Sequence, residues 1–169
     1  MSAPFRIEAL KAKHDRSTFD CGSEALNRYF RQQVAQDARR RVTACFVAVE
    51  EGRGVLAGYY TVASSSVPLT DLPEAVAKKL PRYPSVPAVR MGRLAVDQQF
   101  RGKGLGAAML ADALARSVKA EIAAHALVVD AKDAQAAAFY RHHRFLAFND
   151  NPLALFLPLA TAEELLERR

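Results

Sequence analysis

Between Val89 and Ala124 the chain passes from an apolar run into a glycine-rich hexapeptide. It then enters an alanine-rich segment that holds neither proline nor glycine. The hexapeptide is Arg101-Gly102-Lys103-Gly104-Leu105-Gly106. This order predicts a strand, a tight loop and a helix. Glycine has no Cβ, so such a loop bends sharply and lets a ligand approach the backbone closely. The following helix N-terminus points unpaired N–H groups and the positive end of its dipole outward. Together these suit an anion, most simply a phosphate or pyrophosphate. No Gly-Lys-Ser/Thr follows, and the glycine spacing differs from the dinucleotide fingerprint, so two common phosphate motifs are excluded. A purely structural turn is the plainer alternative.

The other segments frame that loop. Phe5 to Leu10 begins with alternating polarity and predicts an edge strand. Asp20-Cys21-Gly22-Ser23 supplies helix-start chemistry for a helix from Ser23 to about Arg39. Leu26, Tyr29, Phe30 and Val34 share one face of it. Thr43–Val49 and Val55–Ala63 predict a hairpin around Glu51-Gly52-Arg53-Gly54. Ser64–Thr70 reads as an irregular crossing, and Pro73–Leu80 as a short helix with proline at its first position. Pro81, Pro84 and Pro87 stiffen an extended connection. After the strand Val89–Val96, one helix is expected over Gly104–His125. A buried parallel strand follows at Ala126–Asp130, then a helix at Asp133–His143. Phe145–Phe148 and Leu153–Leu157 read as final strands around Asn149-Asp150-Asn151-Pro152, and Thr161-x-x-Glu164 as a capping box. The expected class is mixed α/β with a largely covered sheet.

The chain has 169 residues, the length of one domain. Its net charge of +6 favours an anionic partner such as nucleic acid or a coenzyme phosphate. Cys21 and Cys45 lack metal-type spacing, which predicts reduced thiols and a cytoplasmic protein. No segment reads as a signal peptide or a membrane span, and no residue cluster suggests a metal.

Three features, in order, resemble one known family. They are Arg93-Leu94-Ala95-Val96-Asp97, the loop Arg101 to Gly106, and Ala138-Phe139-Tyr140-Arg141-His142-His143-Arg144-Phe145. Their order and spacing resemble the Gcn5-related N-acetyltransferase (GNAT) superfamily over roughly Thr43 to Leu157. The N-terminal segment and the Arg93–Asp97 string narrow this to the GNAT-type toxins of bacterial toxin–antitoxin modules. The resemblance implies an α/β, single-domain GNAT fold over residues 1–169, with a mixed central sheet and flanking helices. It implies acetyl-CoA as co-substrate. The N–H groups of Arg101, Gly102, Lys103, Gly104, Leu105 and Gly106 would hold the pyrophosphate, and Leu94, Ala95 and Val96 the pantetheine arm. Tyr140 would protonate the departing thiolate of CoA. The implied activity is acetylation of the α-amino group of aminoacyl-tRNA, which blocks translation. The implied antitoxin is a ribbon–helix–helix protein, and a homodimer is a further assembly seen in the family.

Two positions depart from the family pattern. Ala138 stands where Asn is common, and Arg144 where Gly is common at a helix end that often adopts positive φ. No general base stands out. A neutral α-amino group needs little help, whereas a lysine side chain would need more. The basic residues Arg39, Arg40, Arg90 and Arg93 are candidates for tRNA phosphates, against the alternative of a solvated surface. Two other functions remain open at this stage: an acetyltransferase acting on a protein or small-molecule amine, and a catalytically inactive GNAT-like binding module.

Overall fold

The computed structural model describes residues 4–168. Its strands are β1 (Phe5–Ala9), β2 (Ala44–Glu50), β3 (Leu56–Pro68), β4 (Ser85–Val96), β5 (Ala126–Asp130), β6 (Leu146–Phe148) and β7 (Asn151–Pro158). They form one seven-stranded mixed sheet in the order β1-β2-β3-β4-β5-β7-β6. The helices are α1 (Glu24–Arg28), α2 (Val34–Arg39), α3 (Glu74–Ala77), α4 (Leu105–Lys119), α5 (Ala134–His142) and α6 (Leu159–Glu167). The chain divides into two compact units, Met1–Ala63 with Gly92–Ala113, and Ser64–Met91 with Leu114–Arg169. Among the described residues no helix is long and apolar enough to cross a membrane.

In the first unit β1 is the edge strand, antiparallel to β2, which is antiparallel to β3. The apolar stripe of the first helical segment is buried here. Phe30 stacks on Tyr59 with centroids 4.1 Å apart, and Phe19 meets both rings edge-on. Val34, Cys45, Val47 and Ala95 complete this cluster. Both cysteines are free and buried, and burial pushes the Cys45 thiol up to about 12. Ser23 caps α1, its side chain accepting from the Leu26 N–H. The helix expected from Ser23 to Arg39 is interrupted by a π-helical turn, Tyr29–Gln33. Arg16 accounts for it: its guanidinium donates to the carbonyls of Phe30 (2.7 Å) and Arg31 (3.3 Å), so those oxygens need no partner four residues on.

In the second unit β4 and β5 are parallel, as expected, with Ala88↔Ala126 to Met91↔Val129 in register. β5 and β7 are antiparallel, and so are β6 and β7. Val67, Leu72, Val86, Ala88, Ala126, Val128 and Phe156 form its core.

Four expectations are corrected. Ser64–Thr70 is no irregular crossing, because β3 continues to Pro68, with Val67 buried. β4 begins at Ser85, so Pro87 sits inside a strand. Helix α4 stops at Lys119 and not at His125. Alanine propensity there loses to tertiary bonding, since the His125 N–H donates to the Pro87 carbonyl and its own carbonyl accepts from Leu159. Finally, Thr161 caps nothing. α6 starts two residues earlier, at Leu159, because Leu159 and Ala162 bury its apolar face.

Candidate active site

Asp97 fixes the end of β4 in the first unit. It is 6% exposed, and its carboxylate accepts from the N–H groups of Asp20 and Gln99, both at 2.9 Å. Its own N–H donates to the Ala57 carbonyl at 2.8 Å. A 3-10 turn, Gln98–Phe100, follows, with the Phe100 ring buried. The Arg101 guanidinium donates to the Cys21 carbonyl, so this side chain tethers the loop to the start of α1. Gly102 and Gly104 then take φ values of 77° and 75°, the left-handed region where glycine is favoured. A Cβ built on either would meet nothing within 4 Å. The loop therefore lies open in front of α4. Leu105, Met109, Leu110 and Ala113 are buried and anchor α4 behind it. Leu94, Ala95 and Val96 lie beyond the last β4–β5 pair, Met91↔Val129.

The same unit holds three of the candidate arginines, Arg39, Arg40 and Arg93. Arg93 lies over the Tyr29 ring, 3.4 Å from its centroid. The Tyr29 hydroxyl donates to Asp37 at 2.8 Å, and burial followed by that bond pushes the phenol up to about 12. Gln33 and Tyr29 hold the Asp37 carboxyl below its usual range, with added positive charge from Arg93 and Arg40. Arg40 and Arg93 thus both lie within electrostatic reach of the Asp37 carboxylate. Arg39 is exposed on the last turn of α2. Arg90 belongs to the second unit, where its guanidinium pairs with Asp130.

Tyr140 is on α5, whose N-cap Asp133 accepts from the Ala136 N–H at 2.8 Å. The residue is 7% exposed and packs against Phe139 and Phe145. Burial first, and then the negative charge of Asp130, pushes its phenol up to about 12. It therefore keeps its proton at neutral pH. The helix ends in a Schellman motif. Phe145 N–H donates to the Tyr140 carbonyl, Arg144 N–H donates to the Arg141 carbonyl, and Arg144 has φ 74°. The departure at Arg144 therefore falls on a left-handed residue. Asp130 is the group that sequence reasoning passed over. The available signal was an acid ending an otherwise apolar strand, Ala126-Leu127-Val128-Val129-Asp130.

The model of the acetyltransferase (GNAT) family matches residues 7–145. The chain belongs to that family. It is 36% identical over 167 residues to the tRNA-acetylating toxin of Mycobacterium tuberculosis (strain ATCC 25618 / H37Rv), covering 98% of this chain and 96% of the relative. Among solved GNAT structures it is similar to AtaT complexed with acetyl-methionyl-tRNAfMet, at 31% identity and a TM-score of 0.88. That match covers 96% of this chain and 99% of the other. A tyrosine-to-phenylalanine mutant of the AtaT toxin, bound to the C-terminus of the antitoxin AtaR and acetyl-CoA, is similar at 28% identity and a TM-score of 0.82. Here the coverage is 96% and 98%. Among the described residues no group of His, Cys, Asp and Glu is arranged to hold a metal ion.

Proposed function

We propose that this protein is a toxin that transfers acetyl from acetyl-CoA to the α-amino group of aminoacyl-tRNA and so stops translation in the cytoplasm. The observation that carries the reading is the near full-length similarity to a tRNA-acetylating toxin, in a chain that keeps an open glycine loop and a buried, protonated Tyr140. The N–H groups of residues 101–106 hold the pyrophosphate, and the peptide groups of Leu94, Ala95 and Val96 pair with the pantetheine arm as an added strand would. Acetyl-CoA supplies an activated acyl group. Tyr140 hydrogen-bonds the sulfur as charge develops there and delivers its proton. Arg39, Arg40, Arg90 and Arg93 are assigned to tRNA phosphates. Of these, Arg39 and Arg40 are the exposed ones. An antitoxin of the ribbon–helix–helix type, with an acidic tail, would cover the same basic surface.

The test is transfer of labelled acetyl from acetyl-CoA to charged tRNA, with peptides and simple amines as competing acceptors. Label is expected on the aminoacyl group. Tyr140→Phe should lower transfer by roughly 10²–10⁴-fold while acetyl-CoA binding stays unchanged. Label on peptide alone would point to a protein acetyltransferase.

A further inference from the structure

One buried polar group of the first unit has no role in the coenzyme assignment, Thr61 of β3. The residue is 1% exposed, and its hydroxyl finds no hydrogen-bond partner among the described residues. Polar side chains beside it are served. The Thr43 hydroxyl donates to the Val62 carbonyl at 3.2 Å. Cys45, the register partner of Thr61 on β2, donates from Sγ to the Phe46 carbonyl at 3.9 Å. A buried hydroxyl left unpaired carries its full desolvation cost, which an apolar group of the same shape avoids. Valine has that shape and suits a strand at least as well. An orphan hydroxyl at such a position calls for a ligand that completes it. The neighbouring strand offers the place. Gly92 of β4 belongs to the same unit and is exposed. A Cβ built on Gly92 would lie 3.5 Å from the Thr61 Oγ1. Glycine thus leaves open, beside the hydroxyl, the volume that a methyl group would fill.

We propose that Thr61 is a further catalytic residue: its hydroxyl donates a hydrogen bond to the carbonyl oxygen of the acetyl group, and the missing Cβ of Gly92 gives that oxygen its room. The proposal rests on the coenzyme reading above. In that reading the pyrophosphate lies against residues 101–106, and the pantetheine arm runs back along Val96, Ala95 and Leu94. The far end of the arm carries the thioester, so the thioester comes to the Gly92 end of the same strand. A strand advances about 3.3 Å per residue, which puts Gly92 about 7 Å beyond Leu94. In the transfer the amine lone pair forms the C–N bond, and the carbonyl π pair moves onto oxygen. Thr61 meets that developing charge with its O–H and keeps its own proton. The pair returns as the C–S bond breaks. Sulfur takes the C–S pair and a proton, and the amine nitrogen releases one. Nothing is oxidised or reduced. A donor already fixed and shielded from water needs no reorganisation when the charge appears.

The experiment uses the intact protein with acetyl-CoA, CoA and charged tRNA. Thr61→Val removes the hydroxyl and keeps the shape. Without coenzyme this variant should melt at or above the wild-type temperature, because an unpaired buried hydroxyl is gone. Its affinity for acetyl-CoA should fall about 2–10-fold, the effect of one neutral hydrogen bond. Its affinity for CoA, which has no acyl oxygen, should stay unchanged. Its kcat should fall on the order of 10²-fold, since the bond strengthens as charge builds on oxygen. Thr61→Ser keeps a hydroxyl and should recover most of both losses. Gly92→Ala places a Cβ at ordinary contact distance, so it folds, and it should weaken acetyl-CoA more than CoA. Equal effects of Thr61→Val on the two coenzymes would overturn the proposal, whatever the rate does. A Thr61→Val variant that transfers within about threefold of wild type, or that melts well below it, would overturn the proposal too. Should the wild type bind neither coenzyme, the coenzyme reading falls and the role of Thr61 falls with it. Failure of the Thr61 and Gly92 variants alone leaves that reading standing.

Discussion

Replacing Arg144 by glycine should stabilise the protein. Arg144 occupies the left-handed position just past α5, at φ 74°, and its side chain is exposed. A residue with a Cβ loses about 1–2 kcal/mol in that region. Glycine removes this strain but gives the unfolded chain more freedom, which costs about 0.5–1 kcal/mol. The expected net gain is about 0.5–1 kcal/mol. For a chain of this size that raises Tm by roughly 1–4 °C. The hydrogen bonds of the motif, Phe145 to Tyr140 and Arg144 to Arg141, are backbone bonds and survive the change. Arg144→Val should do the opposite, because a β-branched residue fits this conformation worse than arginine. Calorimetry on the three proteins at one pH gives the answer. A glycine variant that melts at or below the wild-type temperature, beside a valine variant that melts no lower, would refute the strain argument.

Three other outcomes follow from the geometry. Gly104→Asp should weaken acetyl-CoA binding at least about tenfold, since a carboxylate enters a phosphate site at a φ of 75°; titration calorimetry reads it, and unchanged affinity would move the pyrophosphate elsewhere. Gly58→Ala should destabilise by about 1–3 kcal/mol, because the new Cβ lies 2.7 Å from the Met109 methyl and 2.9 Å from the Ala95 carbonyl. The methionine can swing aside but the strand cannot, so a urea midpoint equal to wild type would show that β4 gives way easily. Hydrogen bonds from Arg6 and His14 lower the Glu8 carboxyl from 4.5 to about 2. Its contribution to stability is therefore fully present above pH 4.5 and is lost as pH falls toward 2. The gap in urea midpoint between wild type and Glu8→Gln should be open at pH 6 and closed near pH 2, and a gap independent of pH would contradict the assignment.

The elements around the loop were legible because each was signalled locally. The Arg101–Gly106 glycines, the Asp133 cap and the apolar Ala126–Val129 run state their structure within a few residues. Burial of Phe30 and Val34 was legible in helical spacing, whereas the π turn beside them was not, because its cause is Arg16, outside the helix. The ends of α4 and α6 were misplaced for a related reason. His125 joins Pro87 and Leu159, partners distant in sequence, and no cap residue announces them. In the candidate site, the loop and Tyr140 stood out by motif. The pairing of Arg90 with Asp130 did not, since it depends on the register of two parallel strands 40 residues apart.

The π turn has a consequence for how this chain tolerates length change. Tyr29–Gln33 amounts to one surplus residue wound into a helix, and each α-helical residue advances the phase by about 100°. Deleting a single residue there would restore regular winding and rotate Arg39 and Arg40 by more than a quarter turn about the axis. It would also leave Arg16 without the two carbonyls it now serves. A deletion elsewhere in a surface turn would only shorten the chain, whereas this one would re-aim a cationic helix end.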